Sequence, residues 1–204
     1  MDVRKIVSKD LETRVSWMNN PKVYKSMHFK IPITIEETIE WYRRNSTNNC
    51  RVDVSIVEQD DTIVAMGGLT HIDFELMKAE LYIFVSPEKQ GMGYGTYSTA
   101  LLCNYGFEVL GLHKVYLYTN ATNIAAAHIY EKVGFVLEGT LREEVIEEND
   151  YSDRLYYGLL KSEFNMDKLI SNHVFRKEVG GVKLVITDSQ IQQDSSFESN
   201  NDIV

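Results

Sequence analysis

The sequence predicts an α/β (α+β) domain in which one mixed sheet is layered with helices. Three observations carry this. Short strand-like and amphipathic helix-like patterns alternate between Val3 and Phe164. A glycine-rich stretch, SPEKQGMGYGT (Ser86–Thr96), joins a strand pattern directly to a helix pattern. Strand patterns lie on either side of two late helices, and the last two meet at an Asn149-Asp150 turn.

The elements follow in order. VRKIVS (Val3–Ser8) opens as a strand, and Ser8 or Asp10 is placed to cap a helix through LETRVSWM. NNPKVYKSMHFKIP reads as loop or broken helix because Asn19, Asn20, Pro21 and Pro32 interrupt it. TIEETIEWYRRN carries a capping box, Thr34 with Glu37 three residues on, and continues as an amphipathic helix. RVDVSIVEQ, TIVAMGGLTHI and AELYIFVS are strands, the first two joined by a Gln59-Asp60-Asp61 turn. Beyond the glycines come a helix (TYSTALLCNYGFEVL), a strand (KVYLYTN) and a helix (NIAAAHIYEKV). FVLEGTLREEVIEEN and YSDRLYYGLLKSEF then form an antiparallel pair. The chain divides into a domain over 1–164, an extension over 165–187 with a hairpin signal at Gly180-Gly181, and a Ser-, Asn- and Gln-rich tail over 188–204 expected to be disordered.

Composition narrows the function. A chain of 204 residues, 44% hydrophobic and 25% charged, fits one globular domain with a substantial core. No apolar run approaches the roughly 18 residues of a membrane span, and the charged N-terminus MDVRKIVSKDLETR has no signal-peptide core, so a cytoplasmic location is expected. Cys50 and Cys103 share no CxxC spacing and read as structural thiols; no metal site is expected. A net charge of −9 disfavours sequence-independent nucleic-acid binding and is compatible with a cationic substrate.

The glycine stretch is the main chemical signal. Backbone N–H groups of a loop running into a helix converge at the helix N-terminus, where they and the helix dipole favour phosphate. A dinucleotide fold would carry G-x-G-x-x-G and a nucleotide hydrolase G-K-[ST]; neither pattern is present. The pattern that is present, Gln90-x-x-Gly93-x-Gly95, resembles the Q/R-x-x-G-x-G/A coenzyme A loop of the GNAT acetyltransferase superfamily. About 30 residues on, NIAAAHIYEKVGF places Asn123, Ala126, Tyr130, Gly134 and Phe135 in an order similar to that superfamily's second signature.

The resemblance implies a fold and a set of roles. The fold is a central, mostly antiparallel mixed sheet of about seven strands flanked by about four helices, splayed between its fourth and fifth strands, here AELYIFV and KVYLYTN. Acetyl-CoA is the implied cosubstrate. Its pantetheine arm would lie in the gap beside Phe84 and Val85, and its pyrophosphate on Gln90, Gly91, Met92, Gly93, Tyr94, Gly95 and Thr96. Asn120, Asn123, Ala126 and Tyr130 complete the implied cofactor set. The reaction is direct attack of an acceptor amine in a ternary complex.

Tyr130 is the candidate acid for the departing thiolate, since it lies one helical turn from Ala126 on the same face; the alternative is a Tyr that only fills core space. Asn123 either caps its helix, bonds the pantetheine amides, or does both. Glu80 is the candidate base, and a charge at a strand edge facing solvent is the competing reading. Asn120 is placed to hold a water for that base. The five histidines show no ligand spacing and are read as structural or surface residues. The acceptor wall would run from Trp17 to Trp41, with Met27, His28 and Phe29 as substrate contacts. The expected acceptor is the primary amine of a small molecule, with an amino-sugar nucleotide placed ahead of a polyamine. A ribosomal-type protein N-terminal acetyltransferase and a non-catalytic acetyl-CoA-binding module are the alternatives. The resemblance also implies a homodimer through the late strands.

Overall fold

The computed structural model describes residues 1–27, 30–147 and 149–171. Seven strands form one sheet: β1 (Asp2–Lys5), β2 (Val52–Val57), β3 (Ile63–Asp73), β4 (Lys78–Val85), β5 (Lys114–Asn120), β6 (Val136–Glu147) and β7 (Asp150–Leu160). Their order is β1-β2-β3-β4-β5-β7-β6, and every neighbouring pair is antiparallel except β4 with β5. Six helices accompany them: α1 (Leu11–Met18), α2 (Pro21–Tyr24), α3 (Ile35–Asn45), α4 (Tyr94–Asn104), α5 (Ile124–Val133) and α6 (Met166–Ser171). The expected seven-stranded, mostly antiparallel sheet is present, with two more helices than the four expected: the short α2 and α6.

The strands bury alternate residues on two faces. Ala79 and Leu81 of β4, Val115 and Leu117 of β5 and Tyr157 and Leu159 of β7 join the main core under α4 and α5. Met66 and Phe84 join a second cluster with Leu11, Met18 and Val23, against which Trp17, Met27 and Trp41 pack. Inside it, Arg14 is almost fully buried and its guanidinium lies 4.1 Å from the Trp41 ring centroid. The expected capping box of α3 is complete. Thr34 Oγ1 accepts from the Glu37 amide at 3.2 Å, and Glu37 Oε2 accepts from the Thr34 amide at 3.0 Å.

Three elements differ from the expectation. Neither Ser8 nor Asp10 caps α1 with its side chain. A 3₁₀ turn over Ser8–Asp10 precedes the helix, and the Asp10 carboxylate is taken by Arg4 at 2.6 and 2.9 Å, Ser55 Oγ at 2.8 Å and the Val7 amide at 3.1 Å. The helix expected to reach Leu110 ends as α4 at Asn104 and widens into a π-turn, Tyr105–Val109, closed by the Leu110 amide on Tyr105 O at 3.2 Å. Packing also continues past Phe164. That ring lies 5.4 Å from Phe107, and Met166 and Leu169 pack on the main core. The hairpin signal at Gly180-Gly181 and the 188–204 tail lie outside the described residues. Among the described residues, no helix is long and apolar enough to cross a membrane.

The Asp10 network ties β1, β2 and α1 together. Burial works against the charged carboxyl, but Arg4, Val7 N–H and Ser55 outweigh it and hold its pKa below the ordinary 3.8. A carboxyl lowered in the folded state stabilises the fold above that ordinary value, and the contribution is lost as pH falls through the folded value. Asp10→Asn is expected to cost about 3 kcal/mol, read as a lower urea midpoint, and to flatten the stability loss of the wild type below about pH 4. An unchanged midpoint would show that the network adds nothing.

Candidate active site

The site begins with a strand separation. β4 and β5 pair at only three positions, Lys78 with Lys114, Ala79 with Val115 and Glu80 with Tyr116. Beyond Glu80 the remainder of β4 stays paired with β3 up to Val85, and β5 stays paired with β7 up to Asn120, so the sheet opens between them. In an extended chain the backbone groups alternate sides, and those of 81–85 that turn away from β3 face this gap.

At the wide end of the gap the glycine loop turns into α4. Gly91 and Gly93 both adopt left-handed backbone, φ 77° and 83°, a region costly for residues with a Cβ. Gly93 is the N-cap and offers no side-chain acceptor, so α4 has no side-chain cap; its first turn also carries no acidic residue. Its first amides therefore remain available for a ligand. Gly95 has a different reason. A Cβ there would lie 2.8 Å from Ile129 Cδ1, so its absence lets α4 pack closely on α5. An uncapped helix start, an open loop at Gly91 and a strand gap fit a phosphate-bearing cofactor with an extended arm.

The loop is held from behind. Gln90 Nε2 donates to Lys22 O at 3.1 Å, and Lys22 Nζ donates to Pro87 O at 3.1 Å, which ties the loop to α2. Glu58 accepts from Lys89 Nζ and from the Tyr94 hydroxyl, each at 2.6 Å. Those two bonds hold the Glu58 carboxyl below its ordinary pKa. The side chains of Gln90 and Tyr94 thus support the loop, while Thr96 is buried and Met92 is exposed.

The two candidate catalytic side chains lie on opposite faces of the sheet that carries the gap. Tyr130 lies on the α4–α5 face, 5.9 Å from the Phe135 ring and 6.1 Å from Tyr157. Its hydroxyl has no hydrogen-bond partner among the described residues, and burial pushes its pKa up to about 12. Glu80 alternates with Leu81 and shares the opposite face with Tyr82 and Phe84. It stands at the last β4–β5 pair, where the gap opens. Its side chain is 24% exposed, and Oε2 lies 3.1 Å from His71 Nδ1.

The same face carries an aromatic wall. Tyr116, Tyr118 and Tyr156 meet with ring centroids 5.0 to 6.0 Å apart. Burial and then the Glu80 charge push the Tyr116 hydroxyl up to about 12. Lys78, Lys114 and Arg154 lie over these rings at 6.0, 5.5 and 4.8 Å.

Other sequence-derived candidates divide by position. Phe84 points into the second core cluster, edge-on to Trp17 at 6.4 Å, and Val85 and Ala126 pack on the main core. Asn123 caps α5, accepting from the Ala126 amide at 3.2 Å. Asn120 is buried and donates to Glu147, which also accepts from Thr122 Oγ1 at 2.8 Å. Met27 packs on the second cluster, while His28 and Phe29 lie outside the described residues. No sequence spacing marks the His71–Glu80 pair, which arises from strand register.

The comparisons agree with this geometry. Residues 1–136 match the family model described as an acetyltransferase (GNAT) domain. The spermidine N(1)-acetyltransferase of Vibrio cholerae is 30% identical over 148 residues, 72% of this chain and 86% of that protein. A putative ribosomal N-acetyltransferase, YdaF of Bacillus subtilis, is 29% identical over 66% of this chain and 74% of its own length. A crystal structure of the Vibrio cholerae spermidine N-acetyltransferase with CoA and spermine superposes with a TM-score of 0.76 at 27% identity, covering 79% of this chain and 95% of that one. With the splayed sheet, the glycine loop and the family match in agreement, the chain belongs to the GNAT acetyltransferases and is an N-acetyltransferase that uses acetyl-CoA.

Proposed function

We propose that the acceptor is a polyamine and that the acetyl group is transferred to its primary amine, with Glu80 as base and Tyr130 facing the sulfur. The observation that supports the catalytic roles is their position on opposite faces of the sheet, Glu80 at the last β4–β5 pair. Acetyl-coenzyme A supplies an activated acetyl thioester. Glu80 accepts the proton that the amine loses as nitrogen bonds to the acetyl carbon. Tyr130 meets the sulfur from the α5 side. With its phenol at about 12 and a thiol near 8.5, complete proton transfer to the thiolate is uphill by about 5 kcal/mol. Tyr130 therefore serves best by donating a hydrogen bond to the charge that develops on sulfur.

Sequence reading placed an amino-sugar nucleotide ahead of a polyamine; the spermidine-acetylating relatives reverse that order. The net charge of −9 and the negative field of Glu80 and Asp73 at Tyr116 favour a cationic acceptor. The backbone of Gly91–Thr96 would hold the pyrophosphate. The loop side chains Gln90 and Tyr94 act as its supports. A homodimer through β6 belongs to the same reading: that strand is the sheet edge, and Val136, Leu137, Leu141 and Ile146 are exposed along it.

A thiol-release assay with acetyl-coenzyme A, run with spermidine, an amino-sugar nucleotide and a ribosomal N-terminal peptide, tests the acceptor. Turnover confined to spermidine is expected; turnover confined to either of the others would replace the polyamine. Tyr130→Phe is expected to lower kcat by about 10- to 100-fold, the worth of one hydrogen bond to a charged group, with coenzyme A affinity by calorimetry unchanged. Wild-type kcat in that variant would remove Tyr130 from the chemistry. Gly93→Val places a branched side chain at φ 83° and is expected to weaken coenzyme A binding at least tenfold, while an unchanged Kd would give the loop another purpose.

A further inference from the structure

We infer that His71 is a positioning residue for Glu80 and the path by which the acceptor's proton reaches solvent. The inference rests on the reading of Glu80 as base and extends it. Three features of β3 lead to it. The β3–β4 register shifts between Thr70 and Asp73, a bulge that re-aims side chains at the strand's end. Within it His71 adopts φ 49°, a left-handed backbone that a strand residue does not otherwise use. The result is an imidazole with Nδ1 3.1 Å from Glu80 Oε2 and 3.3 Å from Thr70 Oγ1. His71 is 75% exposed while Glu80 is 24% exposed, so the pair runs from the mouth of the strand gap to bulk water.

The proton balance is simple. The amine nitrogen bonds to the acetyl carbon as the carbon–sulfur bond breaks, and the nitrogen's proton passes to Glu80. From the Glu80 carboxyl it moves to the unprotonated Nδ1 of a neutral His71 in its Nε2–H tautomer, whose Nε2 releases a proton to water. Exchange with solvent restores the starting tautomer, and no oxidant or further reactant is needed. The Nδ1–H tautomer left by this step donates to the Glu80 carboxylate across the 3.1 Å contact and holds it in one orientation until exchange restores the Nε2–H form.

The Glu80 charge acts on Tyr116 and Tyr118 of β5, whose other charged or titratable neighbours are Asp73 on β3, Lys78 on β4, Tyr156 and Arg154 on β7, and Glu144 on β6. None of these is a histidine, and imidazole is the side-chain type whose ordinary titration falls between pH 5 and 8. A pH dependence in that window that disappears with the imidazole therefore reports on His71.

The test uses the full chain with acetyl-coenzyme A and spermidine, or with the amine of the acceptor panel that turns over if spermidine does not. In His71→Gln the fall of kcat/KM between about pH 8 and pH 5 is expected to weaken. His71→Ala is expected to lose about tenfold in kcat, with KM for the acceptor nearly unchanged, and to recover on addition of free imidazole, which can reach so exposed a position. Melting curves of both variants should match the wild type. Glu80→Gln separates the two ideas. If it keeps wild-type turnover, Glu80 is not the base and the relay falls with it. If Glu80→Gln is impaired while both His71 variants keep the wild-type acid limb and kcat, Glu80 stands and the relay alone is overturned.

Discussion

The site depends on one constraint, the brevity of the parallel pairing between β4 and β5. Three residue pairs join the strands, and then each follows its other neighbour. A sheet continued in register would satisfy its own backbone and leave no room for a ligand. Because the strands part, β4 presents unpaired backbone to a slot that runs through the sheet. Residues alternate across a strand, so the two faces of the sheet around the slot carry different side chains: Tyr130 and the α5 layer on one, Glu80 and the tyrosine wall on the other.

The parts around the slot are fixed by packing more than by chemistry. Gly95 brings α4 against Ile129 of α5, and Gly93 turns the loop into α4 without a side-chain cap. Glu58, Lys89 and Tyr94 brace the loop from β2 and the turn after it, and Gln90 and Lys22 brace it from α2. A phosphate-binding loop made of backbone needs such bracing, because its donors act only when their directions are held. Side chains named for the cofactor thereby gain a structural reading, and the first amides of α4 stay free of any side-chain cap.

Much of this was legible in sequence. LETRVSWM and KVYLYTN match α1 and β5 in full, and Thr34 and Glu37 announced their capping box. Those signals are local: propensity, periodicity and caps act within a few residues. The glycine loop and the Asn123–Phe135 signature pointed to the family for the same reason. What stayed hidden was long-range. Asp10 looked like a helix cap, but Arg4 and Ser55, brought in by β1 and β2, take its carboxylate instead. His71 carried no ligand spacing because a bulge and a left-handed residue aim it at Glu80, nine positions later in sequence and adjacent in the sheet. The tyrosine wall likewise gathers residues from β5 and β7, whose neighbouring order no local pattern encodes.

The most direct test of the two-faced gap is a crystal structure of this chain with coenzyme A. The account expects the pantetheine arm between β4 and β5, with its sulfur within about 3.5 Å of the Tyr130 hydroxyl and the Glu80 carboxylate on the opposite side of the sheet. A coenzyme bound outside the gap, or a sulfur that both side chains approach from the same face, would contradict it.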